Sequence, residues 1–577
     1  MRKIFIPGLF KSFDIASFRR QCIPLLIIFS FLPQVLFPQS STPYRNGVIV
    51  SANSLASQVG LDILKKGGNA VDAAVAVGFA LAVTYPSAGN IGGGGFMVIH
   101  LADGKETTID YRERAPLSAF RDMYLDDEGN YIAELSYSGV TSSGVPGSVA
   151  GLIYALEKYG TLSLKEVIEP AINLAAEGFL LDYYSARSFE YNLKYFNEYE
   201  SSMNVFSKGG KPYETGDRFF QPDLAWTLTQ IKEKGIDGFY KGKTAELFVE
   251  QVRENGGYIS LKDLEEYNPV EREPVKGIYR GYDIISMAPP SSGGVCLIEL
   301  LNILENYEFK KENWGSSSYI HKLVEAMKYV YADRSKHLGD PDYYDVPVSS
   351  LISKEYSKEI FNQIKDTATA SSEILPSEQI SFYESEETTH YSVYDSYGNA
   401  VSTTTTLNSS YGNKIVADGL GFLMNNEMDD FSAKPGEPNI FGLIGGEANS
   451  IEPGKRMLSS MTPTIVLKDG KPYLIVGSPG GSTIITVVLQ VVLNCLDFGM
   501  DIKQAIDMPR IHHQWLPDRI DYEPFSLETD IKENLLELGH ILGNERELGR
   551  VEGILIDENN LIWGATDPRG YGGVEGY

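Results

Sequence analysis

Residues 388–408 read TTHYSVYDSYGNAVSTTTTLN, which describes two strands and the turn between them. TTHYSVYD alternates as a half-buried strand does. SYGN has turn composition, and AVSTTTTLN is rich in β-branched residues. A turn centred near Tyr397 and Gly398 puts Thr388 across from about Leu407, bringing Thr406 and Asn408 close. Just upstream, PSEQISFYESEE (376–387) is polar and acidic, as an exposed loop would be. A loop therefore ends in a threonine on a strand, with hydroxyl and amide groups opposite. Those are fitting surroundings for a nucleophile, although most strand threonines are structural.

Further strands follow at PTIVLKDG (463–470) and KPYLIVGS (471–478), and a helical stretch at ITVVLQVVLNCL (485–496). Between them GSPGGS (477–482) is a small-residue turn whose backbone N–H groups can approach an anion or oxyanion. A structural turn has the same composition. Towards the N-terminus, residues 55–66 have apolar residues at helical spacing, followed by Gly67-Gly68. AVDAAVAVGFALAV (70–83) is small and apolar nearly all round, which suits a helix packed on both sides. Gly92 to Gly95 lead into a strand and, through Asp103-Gly104, into a second. This run lacks the GxxxxGK[ST] spacing of a phosphate loop. Residues 150–375 look mostly helical. Helices flanking stacked sheets, a layered α and β architecture, follow from this order.

Composition narrows the function. The chain of 577 residues carries 77 acidic and 50 basic residues, a net charge of −27. Such a surface repels nucleic-acid phosphates. It also raises the question of how an anionic substrate would be held. The cysteines, Cys22, Cys296 and Cys495, form no CxxC pair; a disulfide framework is excluded and buried free thiols are expected. No HExxH motif occurs, and His512-His513 is not metal spacing on one helix face, so no metal or cofactor is expected. Arg2, Lys3, Lys11, Arg19 and Arg20 precede an apolar run from Cys22 to Phe37, broken by Pro24 and Pro33. Residues 1–40 are expected to be an export signal, cut near Ser40 or Ser41, to the periplasm or outside the cell; an uncleaved anchor is the rival.

Several motifs become specific in combination. TTHYSV (388–393), TLN (406–408), NNEMDDF (425–431), LSSM (458–461) and GSPGG (477–481) resemble the γ-glutamyltranspeptidase family. So do GGNAVDAAVA (67–76), GNIGGGGF (89–96), DYRERAP (110–116) and APPSSGG (288–294). The resemblance runs from about residue 47 to the C-terminus in one order. It implies an α+β fold, the four-layer αββα sandwich of N-terminal-nucleophile hydrolases, built from both chains of a self-cleaved precursor. Cleavage between Glu387 and Thr388 would yield a large chain (41–387) and a small catalytic chain (388–577) that stay together as a heterodimer.

The resemblance also implies roles. Thr388 would be the nucleophile, oriented by Thr406, with Gly480 and Gly481 donating to the oxyanion. Arg112, Ser459 and Ser460 would hold the substrate α-carboxylate, a local cationic site in an acidic protein. Asn408, Glu427 and Asp430 would hold the α-ammonium; the two carboxylates are unfavourable together unless a cation joins them. The donor would be glutathione or another γ-glutamyl compound, and the acceptor water, an amino acid or a dipeptide. PGEPNIFGLIGG (435–446) resembles the lid of bacterial members, with Phe441 where tyrosine is common, so a hydroxyl to bond Asn408 is missing. Glu427 stands where some bacterial members carry glutamine. The competing readings are a cephalosporin or glutaryl acylase and a non-catalytic extracellular binding protein on the same fold.

Overall fold

The computed structural model describes residues 42–375 and 388–577. The expected export signal, the acidic loop 376–387 and Glu387 lie outside the described residues. Two sheets are stacked between helical layers. The first has seven strands in the order Gly573–Gly576, Val48–Ser51, Thr389–Tyr394, Ala400–Thr406, Gly94–His100, Glu106–Asp110 and Val270–Arg272. The second has six: Ile562–Thr566, Glu552–Ile556, Lys471–Val476, Thr464–Lys468, Tyr282–Ser286 and Val275–Tyr279. Strands from before and after residues 376–387 are neighbours in both sheets, so the two halves of the chain build the same sheets.

Strand alternation builds the layers. On the first sheet Ile49, Met97, Tyr391 and Val393 face an outer helical layer. Val48, Val50, Phe96 and Val98 face the second sheet. The outer layer includes Ser54–Lys65, Ala70–Thr84 and Ser148–Tyr159. Every residue of Ala70–Thr84 is buried, as its all-round apolar composition predicts, and Asn69 with Asp72 forms a capping box at its start. The opposite layer packs Gly293–Leu304, Ser317–His337 and Ile484–Leu496 against the second sheet. This is the αββα sandwich. Cys296 and Cys495 are free and buried. Among the described residues no helix is long and apolar enough to cross a membrane.

Candidate active site

The hairpin 388–408 pairs Tyr394 with Ala400 and, at its open end, Thr389 with Thr405. One further step sets Thr388 opposite Thr406, one residue short of the expected Leu407. The turn is centred on Tyr397 because the Asp395 side chain accepts the N–H groups of Tyr397 (2.9 Å) and Asn399 (3.0 Å). Thr388, His390 and Ser392 share one face of the strand. Ser392 Oγ donates to the Glu552 carbonyl of the second sheet (3.0 Å) and so must accept from His390 Nε2–H (3.0 Å). Burial lowers the His390 pKa to about 3, keeping the ring neutral. The glycine run proves structural. A Cβ on Gly93 would lie 2.1 Å from the Thr406 carbonyl, and Asn90 Nδ2 donates to that same carbonyl (2.8 Å). Bare backbone at 92–95 thus lets the neighbouring strand brace Thr406.

Gly480 and Gly481 end the turn after the strand Lys471–Val476, with φ of 133° and 53°. L side chains are strained there, and a Cβ on Gly480 would also meet Thr483 Oγ1 at 2.5 Å. Both residues sit at the entrance to the helix Ile484–Leu496, where backbone N–H groups are left over. Among the described residues neither amide has an acceptor. Tyr331 Oη braces the turn by donating to the Ser482 carbonyl (2.5 Å).

The charged residues meet differently from expectation. Arg112 is fully buried and forms ion pairs with both Glu427 and Asp430. It donates also to the carbonyls of Met457 (3.3 Å) and Leu458 (3.1 Å), and Glu113 lies 3.6 Å away. The cation joining the two carboxylates is therefore a side chain of the protein, and Glu427 and Asp430 are not left to repel each other. Burial works against the Arg112 charge, but the surrounding carboxylates outweigh it and hold its pKa above the ordinary range. One guanidinium cannot offset three carboxylates, of which Glu113 and Glu427 are buried and Asp430 is partly so. Burial accordingly pushes Glu113 up to about 7 and Glu427 above the usual carboxylate range.

Thr388, Thr406, Asn408, Arg112, Glu427, Asp430, Phe441, Ser459, Ser460 and Gly481 line one cavity, with Leu443, Met461 and Ile484 as its apolar wall. Gly480 adjoins it through Gly481. Two neighbours in the sequence turn elsewhere: Lys455 pairs with Glu452 (2.9 Å) and Arg456 with Asp110 (3.3 Å).

Residues 56–577 match the family described as gamma-glutamyltranspeptidase. The chain belongs to that family. It is 49% identical over 527 residues to the glutathione hydrolase proenzyme of Escherichia coli (strain K12), covering 91% of this chain and 90% of that protein. The solved gamma-glutamyltranspeptidase of Helicobacter pylori is 48% identical, with a TM-score of 0.56 over 59% of this chain and 97% of its own. The cephalosporin acylase of Bacillus halodurans is 28% identical, with a TM-score of 0.83 over 95% of this chain and 99% of its own.

This gamma-glutamyltranspeptidase family member fastens the segment 435–446, the expected lid, through backbone and amide groups. Ile440 N–H donates to Asp429 (3.0 Å), Phe441 N–H to Asn439 Oδ1 (3.0 Å), and Asn439 Nδ2 to Asp430 (3.1 Å). The Phe441 ring lies against Gly481, 2.7 Å from where a Cβ would be. Asn408 Nδ2 donates to the Asn426 carbonyl (2.9 Å). Sequence reasoning missed Gln514, which bonds the lid, and Arg334, which donates to Ser460 Oγ (3.0 Å). An arginine near a helix end and a glutamine in a loop carry no local signal. Away from the cavity, ligand atoms of His321, Glu325 and His540 lie within 4.8 Å of one another. Lys328 already pairs with Glu325 there (3.0 Å), and His321 is bonded to His540 (2.8 Å), so the cluster has its own internal cation.

Proposed function

We propose that this protein is a self-processing γ-glutamyltransferase with Thr388 as nucleophile. The observation that carries the reading is one cavity that joins Thr388 and Thr406 to the Gly481 turn and to the Arg112, Glu427 and Asp430 cluster. In maturation, Thr388 Oγ attacks the Glu387 carbonyl, the peptide C–N bond breaks, and the acyl group passes to oxygen. Water hydrolyses that ester, leaving a Glu387 carboxylate and a free Thr388 α-amine. With an unperturbed pKa of about 7.7–8.0, this amine can take the hydroxyl proton in turnover. Thr388 Oγ then attacks the γ-carbonyl of the donor, and the amine leaves with that proton. Water releases glutamate from the resulting ester, or an acceptor amine takes the γ-glutamyl group.

Gly480 and Gly481 would serve the oxyanion in both reactions; one such donor is worth about 3–4 kcal/mol. A zwitterionic donor suits the pocket: its ammonium would take over Glu427 and Asp430 as its carboxylate reaches Arg112, Ser459 and Ser460. The relatives named glutathione hydrolase proenzymes support glutathione as donor. The mixed sheets support chains 41–387 and 388–577 that remain associated after cleavage. On the same reading residues 1–40 direct export, which N-terminal sequencing of the secreted large chain tests.

A glutaryl acylase is the second reading, favoured by the 0.83 TM-score to a cephalosporin acylase. A matched pair of γ-glutamyl and glutaryl anilides, with and without a dipeptide acceptor, separates the two. Faster turnover of the γ-glutamyl anilide is expected, and preference for the glutaryl compound would overturn the proposal.

A further inference from the structure

Arg334 takes no part in the mechanism above, and its surroundings are unusual for a buried arginine. It lies in the last turn of the helix Ser317–His337 and is 5% exposed. Its Nε donates to Ser292 Oγ (2.9 Å) and its Nη2 to Ser460 Oγ (3.0 Å). Among the described residues no carboxylate oxygen comes within 4.0 Å of it. A buried guanidinium stays charged, and taking that charge from water costs several kcal/mol when only hydroxyls answer it. Burial lowers the Arg334 pKa, whereas the carboxylates around Arg112 raise that residue's. The two arginines are therefore not equivalent: Arg112 sits among three carboxylates, whereas Arg334 has none in contact and feels Asp430 only from beyond 4.0 Å.

Two details direct this charge into the cavity. Ser460 Oγ accepts from Arg334, which leaves its own proton to donate; among the described residues that proton has no acceptor, and Ser460 lines the cavity. Ser292, the other partner of Arg334, stands at the start of the helix Gly293–Leu304 and donates to the Ser459 carbonyl (2.6 Å). The positive end of that helix adds to the field at the two serines.

Resting on the donor proposed above, we propose that Arg334 supplies the charge that makes the Ser459-Ser460 end of the pocket a carboxylate site. It is a positioning residue that acts through Ser460. Arg334 holds and polarises the hydroxyl, and the hydroxyl donates to the α-carboxylate of the bound γ-glutamyl group. Arg112 alone, already paired with Glu427 and Asp430, offers an incoming anion little net charge.

The test compares two anilides on processed enzyme: γ-glutamyl, and 4-aminobutyryl, which lacks only the α-carboxylate. Arg334→Met is expected to lower the ratio of their kcat/KM values about tenfold or more, through the KM of the γ-glutamyl donor. Arg334→Lys, which keeps the charge, should recover part of that ratio. Equal losses for both donors would make Arg334 merely structural and overturn the inference, as would an unchanged ratio. Should Arg334→Met fail to mature, inhibition of the Arg334→Lys enzyme by glutamate relative to 4-aminobutyrate gives the same reading. A selective loss for glutamate supports the inference, and equal inhibition ratios in variant and wild type sink it. If the wild-type enzyme cleaves neither anilide, the proposed function falls instead.

Discussion

Gln514 Nε2 donates to the backbone carbonyl of Phe441 at 3.2 Å. A carbonyl only accepts, so this contact orients the Gln514 amide and turns its oxygen to His512 Nε2 (2.9 Å). His512 must then carry a proton on Nε2, and its Nδ1 is hydrogen-bonded to Thr486 Oγ1 (2.8 Å). The lid is thereby tied to the helix Ile484–Leu496 although its ring bears no hydroxyl. Gln514→Leu breaks the tie while the bonds of Ile440 to Asp429 and of Asn439 to Asp430 stay. A net hydrogen bond is worth about 1 kcal/mol, so the donor KM should rise roughly fivefold with kcat little changed. Steady-state kinetics on processed enzyme check this, and an unchanged KM would show the lid is held elsewhere.

Thr388→Ala should leave the precursor uncut and inactive, because the proposed mechanism gives one hydroxyl both reactions. Gel electrophoresis of the 63.8 kDa chain reads cleavage directly. N-terminal sequencing of the wild-type small chain should begin at Thr388. Normal cleavage in the variant would place the nucleophile at another residue.

Arg112→Lys keeps the charge but not the fork that spans Glu427 and Asp430. The KM of γ-glutamyl donors should rise and the thermal midpoint should fall. Arg112→Met leaves the buried Glu427 and the partly buried Asp430 without their cation and should cost about 3–5 kcal/mol of stability. Calorimetry alongside kinetics tests both; an unchanged midpoint in Arg112→Met would mean the ion pairs contribute nothing to the fold.

Asp430→Asn should weaken γ-glutamyl donors strongly and spare self-cleavage, which involves no substrate amine. Because γ-glutamyl and glutaryl anilides differ only by that amine, the gap between their kcat/KM values should narrow about tenfold or more. Asp430 also accepts from Asn439 of the lid (3.1 Å), so a purely structural role predicts slower maturation and equal losses for both anilides.

His540 is bonded to His321 (2.8 Å), and burial, reinforced by Lys328, lowers its pKa to about 3. The unfolded ring takes a proton below about pH 6.5, but the folded ring resists until about pH 3. Between those values the unfolded state binds more protons, so this contribution to stability is present above pH 6.5 and is lost as pH falls. His540→Gln removes it. The wild-type advantage over His540→Gln should shrink by about 2 kcal/mol between pH 7.5 and pH 5. Urea unfolding on the uncut Thr388→Ala background, where other buried groups cancel in the difference, measures that gap. A pH-independent gap would exclude a buried neutral ring.

Much of this protein was legible in its sequence because the deciding patterns are local. Alternation in 388–408, the apolar helix 70–84 and the glycines at 480–481 each depend on neighbours a few residues away. Periodicity and backbone sterics leave their mark at that range. The hairpin register was misjudged by one residue, because the centre of the turn depends on how the Asp395 side chain bonds the backbone.

The sequence by itself determined the layers, the family and most of the polar residues that line the cavity. Only the tertiary structure decided which of them pair. Arg112 meets Glu427 and Asp430 across separations of 315 and 318 residues, and Arg334 reaches Ser460 across 126. A contact between two distant residues imposes no periodicity on either segment, and the charge of an arginine does not reveal its partner. Packing settles that, by burying one guanidinium among carboxylates and the other against serine hydroxyls.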